Sequence, residues 1–524
     1  MSIKLSPLIS DGMILQRNAN IKIRGFCNPN EFTSISFSGK TATAKADENG
    51  FWLCELGEFA ESSTPLEMKV NSAGEEIIIP DILIGDVWLC SGQSNMELML
   101  NRVCHYYPDE LTATNTLIRQ LKIPQEYNFN APSQDLSECA WEKFSPETAE
   151  NFTAVGYFFA KKLYERYNVP IGLFACAVGG TPVAAWMSRE MLADLGLTKE
   201  LDEAEKCKDL QYIEKITAED ESCSQEYQGK LKEADKGLKE NWMNADCGDS
   251  EWEEVSIHAP VYKSGSYWYR KTLDIPEELW GKPANIFLGT AIDMDEVYIN
   301  GEKIGSTGYR YPPRDYTFTM PEGKLTIAIR LLVFGGYGEF ATAKNYFIAT
   351  DSRTIDIGGV WKRRQGAEAE NQKGSTFFKY KPTGLYNGMI SPLMNTAVRG
   401  VIWYQGESDT GNPSRYAEKM KALINGWRKA WGAELPFIMT QLVYYEYTGS
   451  HDKEHGAYWE RLREQQKLCL ELPNTGLALT YDLGEFNDLH PQNKRDIGER
   501  LARLAIRIAY GETHPPNLFE MYNY

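Results

Sequence analysis

A serine stands where an acyl-transfer enzyme would place its nucleophile, just beyond the end of a buried strand. Ser94 follows the apolar run DVWLCSGQ, which is too continuous for a half-exposed strand and is typical of the centre of a parallel sheet. Open α/β sheets bind their ligands beyond the carboxyl ends of such strands. The alternative is that Ser94 caps a short helix, with Glu97 three residues later completing a capping box. Ser94 is therefore a candidate nucleophile whose role depends on its partners.

A serine nucleophile needs a base, and the chain contains only six histidines. His490 is the best placed of them, because it follows the predicted strand GLALTYDL and precedes Pro491, a residue that favours the first turn of a helix. Asp488 stands two residues earlier on the same loop and can fix the tautomer of the imidazole and stabilise the imidazolium. A surface Asp and His beside a helix start are common, so this pair gains weight only together with Ser94.

Donors for an oxyanion would have to come from other strand ends. Gly179 and Gly180 end the apolar segment VPIGLFACAVGG, where glycine lets backbone N–H groups approach a ligand closely, although an ordinary tight turn has the same pattern. Gln405 and Glu407 follow the apolar strand in VIWYQGESD. The amide suits an oxyanion hole, and the carboxylate could orient a partner or bind sugar hydroxyls; a turn with a capping acid is the alternative.

The elements that must position these residues form a discontinuous α/β domain. Strand, helix and strand follow one another in DILIGDVWLCSG, TAVGYFFAKKLYERY and VPIGLFACAVGG, the order of a βαβ unit with parallel strands. The pattern resumes with VRGVIWYQGESD, the helix RYAEKMKALINGWRKAW and two further strands. We therefore predict an α/β fold whose catalytic domain consists of residues 82–240 and 351–524. Helices with solvated faces are expected from about 190 to 243.

Short alternating segments predict two further β domains. Residues 1–81 contain five such segments separated by Asn, Gly, Pro and Ser, which indicates an N-terminal β-sandwich domain. Residues 241–350 show the same pattern, and Asn300-Gly301 between two apolar runs is a strong hairpin signal. We expect this second β sandwich to be inserted into the α/β domain.

Composition excludes some partners. The formal net charge is -18, which repels phosphate backbones and anionic membranes, so we expect neither nucleic acid nor a membrane as partner. The ten cysteines are scattered singly without metal-ligand spacing, which indicates buried reduced thiols, no metal and no cofactor. The first residues show no secretory signal, so we expect a cytoplasmic protein, although a trimmed signal would leave the same sequence. The oligomeric state is not readable.

Four segments in order resemble one enzyme family. They are SGQSN at 91–95, GGTP at 179–182, WYQGES at 403–408 and DLHP at 488–491. Together they look like the sialate O-acetylesterase family of the SGNH (GDSL-like) hydrolases. The resemblance implies a three-layer α/β/α catalytic domain, and the insertion is similar to the galactose-binding-like jelly-roll domains of β-glycosidases.

The resemblance also implies roles for the residues. Ser94 would be the nucleophile, His490 the base and Asp488 its acid, while the N–H of Ser94, a glycine of the 179–180 pair and the side chain of Gln405 would form the oxyanion hole. Many SGNH hydrolases have Asn at the position of Gln405. In some related acetylesterases the Glu of the QGE motif supports the histidine, which makes Glu407 a second candidate acid.

The function expected from these residues is hydrolysis of acetyl esters on a carbohydrate by a Ser-His-Asp mechanism. The sugar is open: sialic acid would need a cationic contact, for which Arg399 or Arg415 is a candidate, whereas xylan would not. Two alternatives from other classes remain. One is a glycosidase using Glu407 and Asp488, which would leave SGQSN unexplained. The other is a non-catalytic carbohydrate-binding protein.

Overall fold

The computed structural model describes residues 3–446 and 455–512. The N-terminal region is antiparallel apart from the short strand β2, which pairs in parallel with β8. Its strands are β1 (Lys4–Leu5), β2 (Ile14–Gln16), β3 (Ile21–Phe26), β4 (Phe32–Phe37), β5 (Lys40–Lys45), β6 (Phe51–Gly57), β7 (Ser62–Ser72) and β8 (Glu75–Gly92).

The long strand β8 belongs to two regions at once. Its first half pairs antiparallel with β7, and its second half, from Asp86 to Gly92, lies at the centre of a parallel sheet. The predicted boundary between residues 81 and 82 therefore falls inside one continuous strand. Residues 83–93 are buried throughout, which explains the continuous apolar run in the sequence. The N-terminal region is thereby joined through one continuous strand to the sheet that carries Ser94.

The central sheet has the order β10-β9-β11-β8-β22-β23-β24, and every neighbouring pair except β9 with β10 is parallel. Its remaining strands are β9 (Asn115–Lys122), β10 (Trp141–Phe144), β11 (Ile171–Ala177), β22 (Gly400–Tyr404), β23 (Phe437–Thr440) and β24 (Thr475–Ala478). The predicted α/β class with a parallel sheet is confirmed. The carboxyl ends of β8, β11 and β22 are adjacent, so the segments that follow them meet.

Helices cover this sheet, and alternate residues of β22 face separate cores. Val401 and Trp403 pack in the core that contains α8, whereas Ile402 and Tyr404 pack in the core of α3 and α10. The helices are α1 (Ser94–Glu97), α2 (Pro108–Thr112), α3 (Ala154–Tyr167), α4 (Arg189–Asp194), α5 (Thr198–Lys206), α6 (Leu210–Ala234), α7 (Lys236–Lys239), α8 (Tyr416–Trp431), α9 (His455–Leu468) and α10 (Lys494–Ile508).

The insertion contains two antiparallel sheets around a separate apolar core. Their orders are β12-β21-β13-β18-β15-β16 and β17-β14-β19-β20. The strands are β12 (Glu253–Ser256), β13 (Gly265–Asp274), β14 (Pro283–Leu288), β15 (Met294–Ile299), β16 (Glu302–Thr307), β17 (Asp315–Thr319), β18 (Lys324–Val333), β19 (Tyr346–Ala349), β20 (Thr354–Asp356) and β21 (Val360–Glu368).

Two features of the insertion test the sequence analysis. The hairpin at Asn300-Gly301 is confirmed: both residues have positive φ, +48° and +91°, between the paired strands β15 and β16. The predicted end at residue 350 is too early, because β21 pairs with β13 and continues the sandwich to Glu368. This strand is half exposed and rich in Lys and Arg, so its alternation is weak.

Across residues 3–446 and 455–512, we find no helix with the length and apolarity that a bilayer crossing requires.

Candidate active site

Ser94 lies at the first position of α1, two residues beyond the end of β8. Gly92 makes the turn possible: its φ is +133°, and a Cβ there would lie 2.2 Å from the carbonyl oxygen of Tyr404. The capping alternative is not realised, since Gln93 occupies the N-cap position without a side-chain bond to the helix. Instead, Ser94 Oγ lies 2.9 Å from Nε2 of His490. The two sequence candidates, 396 positions apart, are at hydrogen-bonding distance.

His490 is 4% exposed and lies on the loop before α10. The helix begins at Lys494 with Asn493 as its cap, slightly later than Pro491 suggests. Burial lowers the pKa of His490 to about 3, so the imidazole is neutral and Nε2 can accept the serine proton near neutral pH. The ring of Tyr311, from the sandwich, packs edge-on against it with ring centroids 4.8 Å apart.

Asp488 lies beside His490, but its closest contact is to the backbone. Its Oδ1 accepts the N–H of His490 at 2.8 Å and lies 3.8 Å from Nδ1 of the ring, too far for a hydrogen bond. Among the described residues, His490 Nδ1 has no hydrogen-bond partner. Burial opposes ionisation of Asp488, yet the charge of Lys344 and the hydrogen bond from the backbone of His490 contribute to outweighing it, and the pKa of Asp488 is lowered. Catalytic hydrogen bonds are often long before substrate binds, so a small shift of the ring would complete this one.

The glycine pair meets Ser94, but its two N–H groups differ. The N–H of Gly179 donates to Oε2 of Glu97 at 2.5 Å. Gly180 has φ +78° and lies against the hydroxyl of Tyr380, which a Cβ there would approach to 2.2 Å. Both glycines and Ser94 line the same cleft. Gly180 is thus the member of the pair whose N–H is not engaged by Glu97.

The structure does not bring Gln405 to Ser94 as the sequence analysis expected. Its amide nitrogen donates to the carbonyl of Thr181 at 3.1 Å and to Asp409 at 2.7 Å, and its oxygen accepts from Tyr416. The side chain is fully buried and is not part of the cleft lining. Both amide hydrogens are engaged, so the side chain of Gln405 links Thr181, Asp409 and Tyr416 inside the protein. Its direction is set by the buried Asp409, which no strand-end pattern reveals.

Glu407 lines the cleft but does not reach His490. Its Oε1 accepts from the amide of Asn95, which also donates to the carbonyl of Leu489 and accepts from Lys494. Burial raises the pKa of Glu407, while burial lowers the pKa of Lys494 to about 7. Asn95 therefore connects the loops after β8, β22 and β24. None of the described ion pairs joins Glu407 to His490.

Sequence reasoning missed Gln93, which stands beside Ser94 in the cleft. Its side-chain oxygen accepts the backbone N–H groups of Gly406 at 3.4 Å and Ser408 at 3.3 Å. This contact ties the loop after β22 to the turn that carries Ser94. The only signal in the sequence was its place inside SGQSN.

The cleft has a volume of about 1000 Å³ and is framed by both the sheet and the sandwich. Aromatic side chains line much of it: Tyr309, Tyr311, Phe377, Tyr380, Tyr445 and Trp459. Three cations also line it: Arg102, Arg310 and Lys379. Arg399 and Arg415, the sequence candidates for a carboxylate contact, do not. Arg399 donates to the carbonyl of Ala509, and Arg415 pairs with Glu418 at the surface. Both lie near WYQGES in the sequence, but proximity in sequence does not indicate the direction of a side chain.

A model of the family described as carbohydrate esterase, sialic acid-specific acetylesterase, matches residues 84–241 and 367–507, more than half of the chain. The chain belongs to this family. The two matched ranges carry Ser94, Gly180, Glu407 and His490, and the gap between them coincides with the inserted sandwich. The sandwich is therefore an addition to what defines the sialic acid-specific acetylesterase family.

Individual relatives agree with the family. The sialate O-acetylesterase of Rattus norvegicus is 23% identical over 502 residues, covering 90% of this chain and 66% of that protein. The human sialate O-acetylesterase is 28% identical over 218 residues, covering 38% of this chain. That match spans about two fifths of the human protein. The crystal structure of XAC1771, a carbohydrate acetylesterase from Xanthomonas citri, is similar with 27% identity and a TM-score of 0.59, covering 98% of this chain and 76% of that one.

Proposed function

We propose that this protein is a carbohydrate O-acetylesterase that uses Ser94, His490 and Asp488. The observation that carries the proposal is the 2.9 Å contact between Ser94 Oγ and His490 Nε2 at the base of an aromatic cleft. Aromatic faces suit stacking on sugar rings. We further propose that the catalytic domain has the three-layer SGNH arrangement and that the insertion is a jelly roll. The family membership supports the activity.

In the proposed first step, His490 Nε2 removes the proton from Ser94 Oγ, and the oxygen attacks the acetyl carbonyl carbon. The C=O electron pair moves onto the oxygen. The backbone N–H groups of Ser94 and Gly180 are the proposed donors to that oxyanion, since Gly179 and Gln405 donate elsewhere. When the tetrahedral intermediate collapses, the bond to the sugar oxygen breaks and the imidazolium returns its proton to that oxygen.

In the second step, the acetyl-enzyme is hydrolysed. Neutral His490 takes a proton from water, the resulting hydroxide attacks the acetyl carbon, and the bond to Ser94 Oγ breaks as the imidazolium protonates it. Acetic acid leaves, releases its proton to solvent to become acetate, and the starting state returns. Asp488 stabilises the imidazolium during both steps by its negative charge.

The cleft offers cations that can bind a sugar carboxylate. Three cations and three carboxylates line it, and Arg310 pairs with the carboxylate of Asp293. Arg102 and Lys379 take part in none of the described ion pairs, so they are the proposed contacts for a carboxylate on the sugar. Sialic acid fits this chemistry, and the family description agrees with it. A glycosidase would need both carboxylates in the cleft. Glu407 lines the cleft and Asp488 does not, so the glycosidase alternative loses support.

The test is acetate release from O-acetylated sialic acids and from acetylated xylo-oligosaccharides, measured for the wild type and for Ser94→Ala. We expect the wild type to prefer the sialic acids, and Ser94→Ala to lose at least about 10⁴-fold in kcat because the nucleophile is gone. Ser408→Ala, also at the cleft but without contact to His490, is the control. Full activity of Ser94→Ala would refute the assignment; a preference for xylan would refute the substrate class alone.

A further inference from the structure

The inserted sandwich contacts the loop that carries the catalytic base. Thr342, on the segment between β18 and β19, donates its backbone N–H and its hydroxyl to Oδ1 of Asn487, both at 3.0 Å. The hydroxyl of Thr290 donates to Oδ2 of Asp488 at 3.2 Å. Two separate sandwich loops thus bind two consecutive residues of the His490 loop. This is a specific interface rather than loose apolar packing.

Lys344 is the centre of that interface. Its ammonium group pairs with Glu485 and lies 3.2 Å from Oδ2 of Asp488, although its side chain is only 2% exposed. Gly289 makes room for it: a Cβ at this positive-φ position would lie 2.7 Å from Cβ of Lys344. A buried ammonium is costly unless it is paired, and both carboxylates that pair with it stand on the His490 loop. Lys344 can therefore be accommodated only when that loop occupies its present position.

We propose that Lys344, supplied by the inserted sandwich, is a positioning residue of the esterase site that holds the Asp488–His490 loop against Ser94. The inference rests on the proposed function. Lys344 does not line the cleft, so it does not touch substrate. It acts through Asp488, whose Oδ2 it binds while Oδ1 stays directed at His490. The sandwich thereby helps to position the catalytic residues in addition to lining the cleft.

Lys344 also contributes charge. Burial opposes the ionisation of Asp488, and the ammonium group is the largest of the effects that together outweigh burial and lower the pKa of Asp488. The same positive charge adds to the burial that lowers the pKa of His490. The other groups that face this pair are Arg102 beyond α1, Lys494 at the start of α10, Glu485 on the same loop, and the ring of Tyr311.

The experiment compares Lys344→Met, which keeps the length but removes the charge, with Lys344→Arg, which keeps the charge. Lys362→Met is the control, because Lys362 pairs with an exposed carboxylate on the same sandwich. For Lys344→Met we expect kcat to fall about 10- to 100-fold with KM within about 3-fold, since the base is misplaced and the cleft is not. Lys344→Arg should recover part of kcat.

The pH profile separates positioning from a merely structural role. Without the ammonium charge, the pKa values of Asp488 and His490 both rise, and the working form needs both groups deprotonated. The acid limb of kcat/KM should therefore move to higher pH by about 0.5 unit or more in Lys344→Met and stay in place in Lys344→Arg. An unchanged kcat and an unchanged acid limb in a folded Lys344→Met overturn the proposal.

Two further results are decisive. If Lys344→Met fails to fold, Thr290→Val removes only the hydroxyl bond to Asp488: a kcat reduced about 3- to 10-fold at unchanged Tm supports the proposal, and wild-type kcat contradicts it. If the wild type releases no acetate from any substrate, the proposed function fails and this inference fails with it. If the wild type is active and the variants keep wild-type kcat and pH dependence, this inference is refuted and the proposed function stands.

Discussion

The two sides of the cleft are built in different ways. On the sheet side, Ser94, Gly180 and Glu407 each follow directly after a parallel strand, and adjacent strand ends bring them together. On the sandwich side, Tyr311 and Lys344 stand on loops between antiparallel strands and reach a histidine loop more than 140 residues further along the chain. The sheet side is fixed by local backbone geometry, whereas the sandwich side depends on docking between two domains.

This difference assigns different tasks to the two regions. The sheet presents the proposed nucleophile and the proposed backbone donors, which must be rigid to be preorganised for a developing oxyanion. In our proposal the sandwich positions the base, through its contacts with Asp488 and with the ring of His490. The ranges that the family model matches carry the first set of groups and leave out the sandwich with the second. Of the two candidate acids, Asp488 pairs with Lys344 of the sandwich, whereas Glu407 bonds to Asn95 beside Ser94.

The largest effect should come from replacing each of these two acids by its amide in a separate variant. Asp488→Asn keeps the shape but removes the charge that stabilises the imidazolium, so we expect kcat to fall about 10³- to 10⁴-fold. Glu407→Gln should cost only about 10-fold, because Glu407 bonds to Asn95 and makes no described ion pair with His490. Steady-state kinetics on an O-acetylated sialic acid measure both. If Glu407→Gln lowers kcat more than Asp488→Asn does, Glu407 is the acid that supports His490, and the sandwich does not position the base.

The strand-end residues could be predicted from the sequence because their signal is local. Ser94, Gly180 and Glu407 each stand within four residues of an apolar run, and parallel strands of one sheet end at one edge. The parallel sheet itself was predictable for the same reason. His490 was found by elimination among six histidines, with Asp488 and Pro491 beside it. These inferences needed no knowledge of how domains dock.

The remaining features could not be predicted because they depend on distant parts of the chain. Lys344 looks like any loop lysine until Glu485 and Asp488 are placed beside it. The direction of Gln405 is decided by Asp409, a carboxylate buried only in the folded state. The end of the sandwich at Glu368 was missed because β21 is half exposed and its alternation is weak.

A smaller effect should distinguish Gly180, a proposed oxyanion donor, from Gln405, a donor that the sequence predicted and whose amide is bonded elsewhere. Gly180→Ala forces a Cβ into a positive-φ position and against the hydroxyl of Tyr380, so we expect kcat to fall about 10²- to 10³-fold. Gln405→Ala leaves Thr181 and Asp409 without their buried partner, which should cost about 1–3 kcal/mol of stability while kcat of the folded protein changes less than about 10-fold.

Urea unfolding and steady-state kinetics on the same preparations provide the two readouts. Gly196→Ala is the matched control for strain, since it has φ +64° with open space around it. A loss of 10²-fold or more in kcat for Gln405→Ala at unchanged stability would show that the amide turns towards the oxyanion when substrate binds, as the sequence analysis first expected.

The smallest effect concerns the seam between the two regions. Nε2 of His105, before α2, lies 2.8 Å from Asp315 on β17 of the sandwich, and both are about one third exposed. The hydrogen bond to Asp315, with a second one to Cys104, raises the pKa of His105 to about 10. Because the folded pKa exceeds the usual value near 6.5, this contact contributes fully below about pH 6.5 and is lost as the pH rises through 10.

His105→Gln should therefore lower Tm by about 1–2 °C at pH 6 and leave it nearly unchanged relative to the wild type above pH 10, since partly exposed ion pairs contribute little. His258→Gln, which removes a histidine whose ring contacts Phe340 inside the sandwich and not the seam, is the control. The kcat of His105→Gln should match the wild type, because this contact holds the seam without touching the Asp488–His490 loop. A drop in kcat as large as that of Lys344→Met would mean that any weakening of the seam disturbs the base, and that Lys344 has no special position within it.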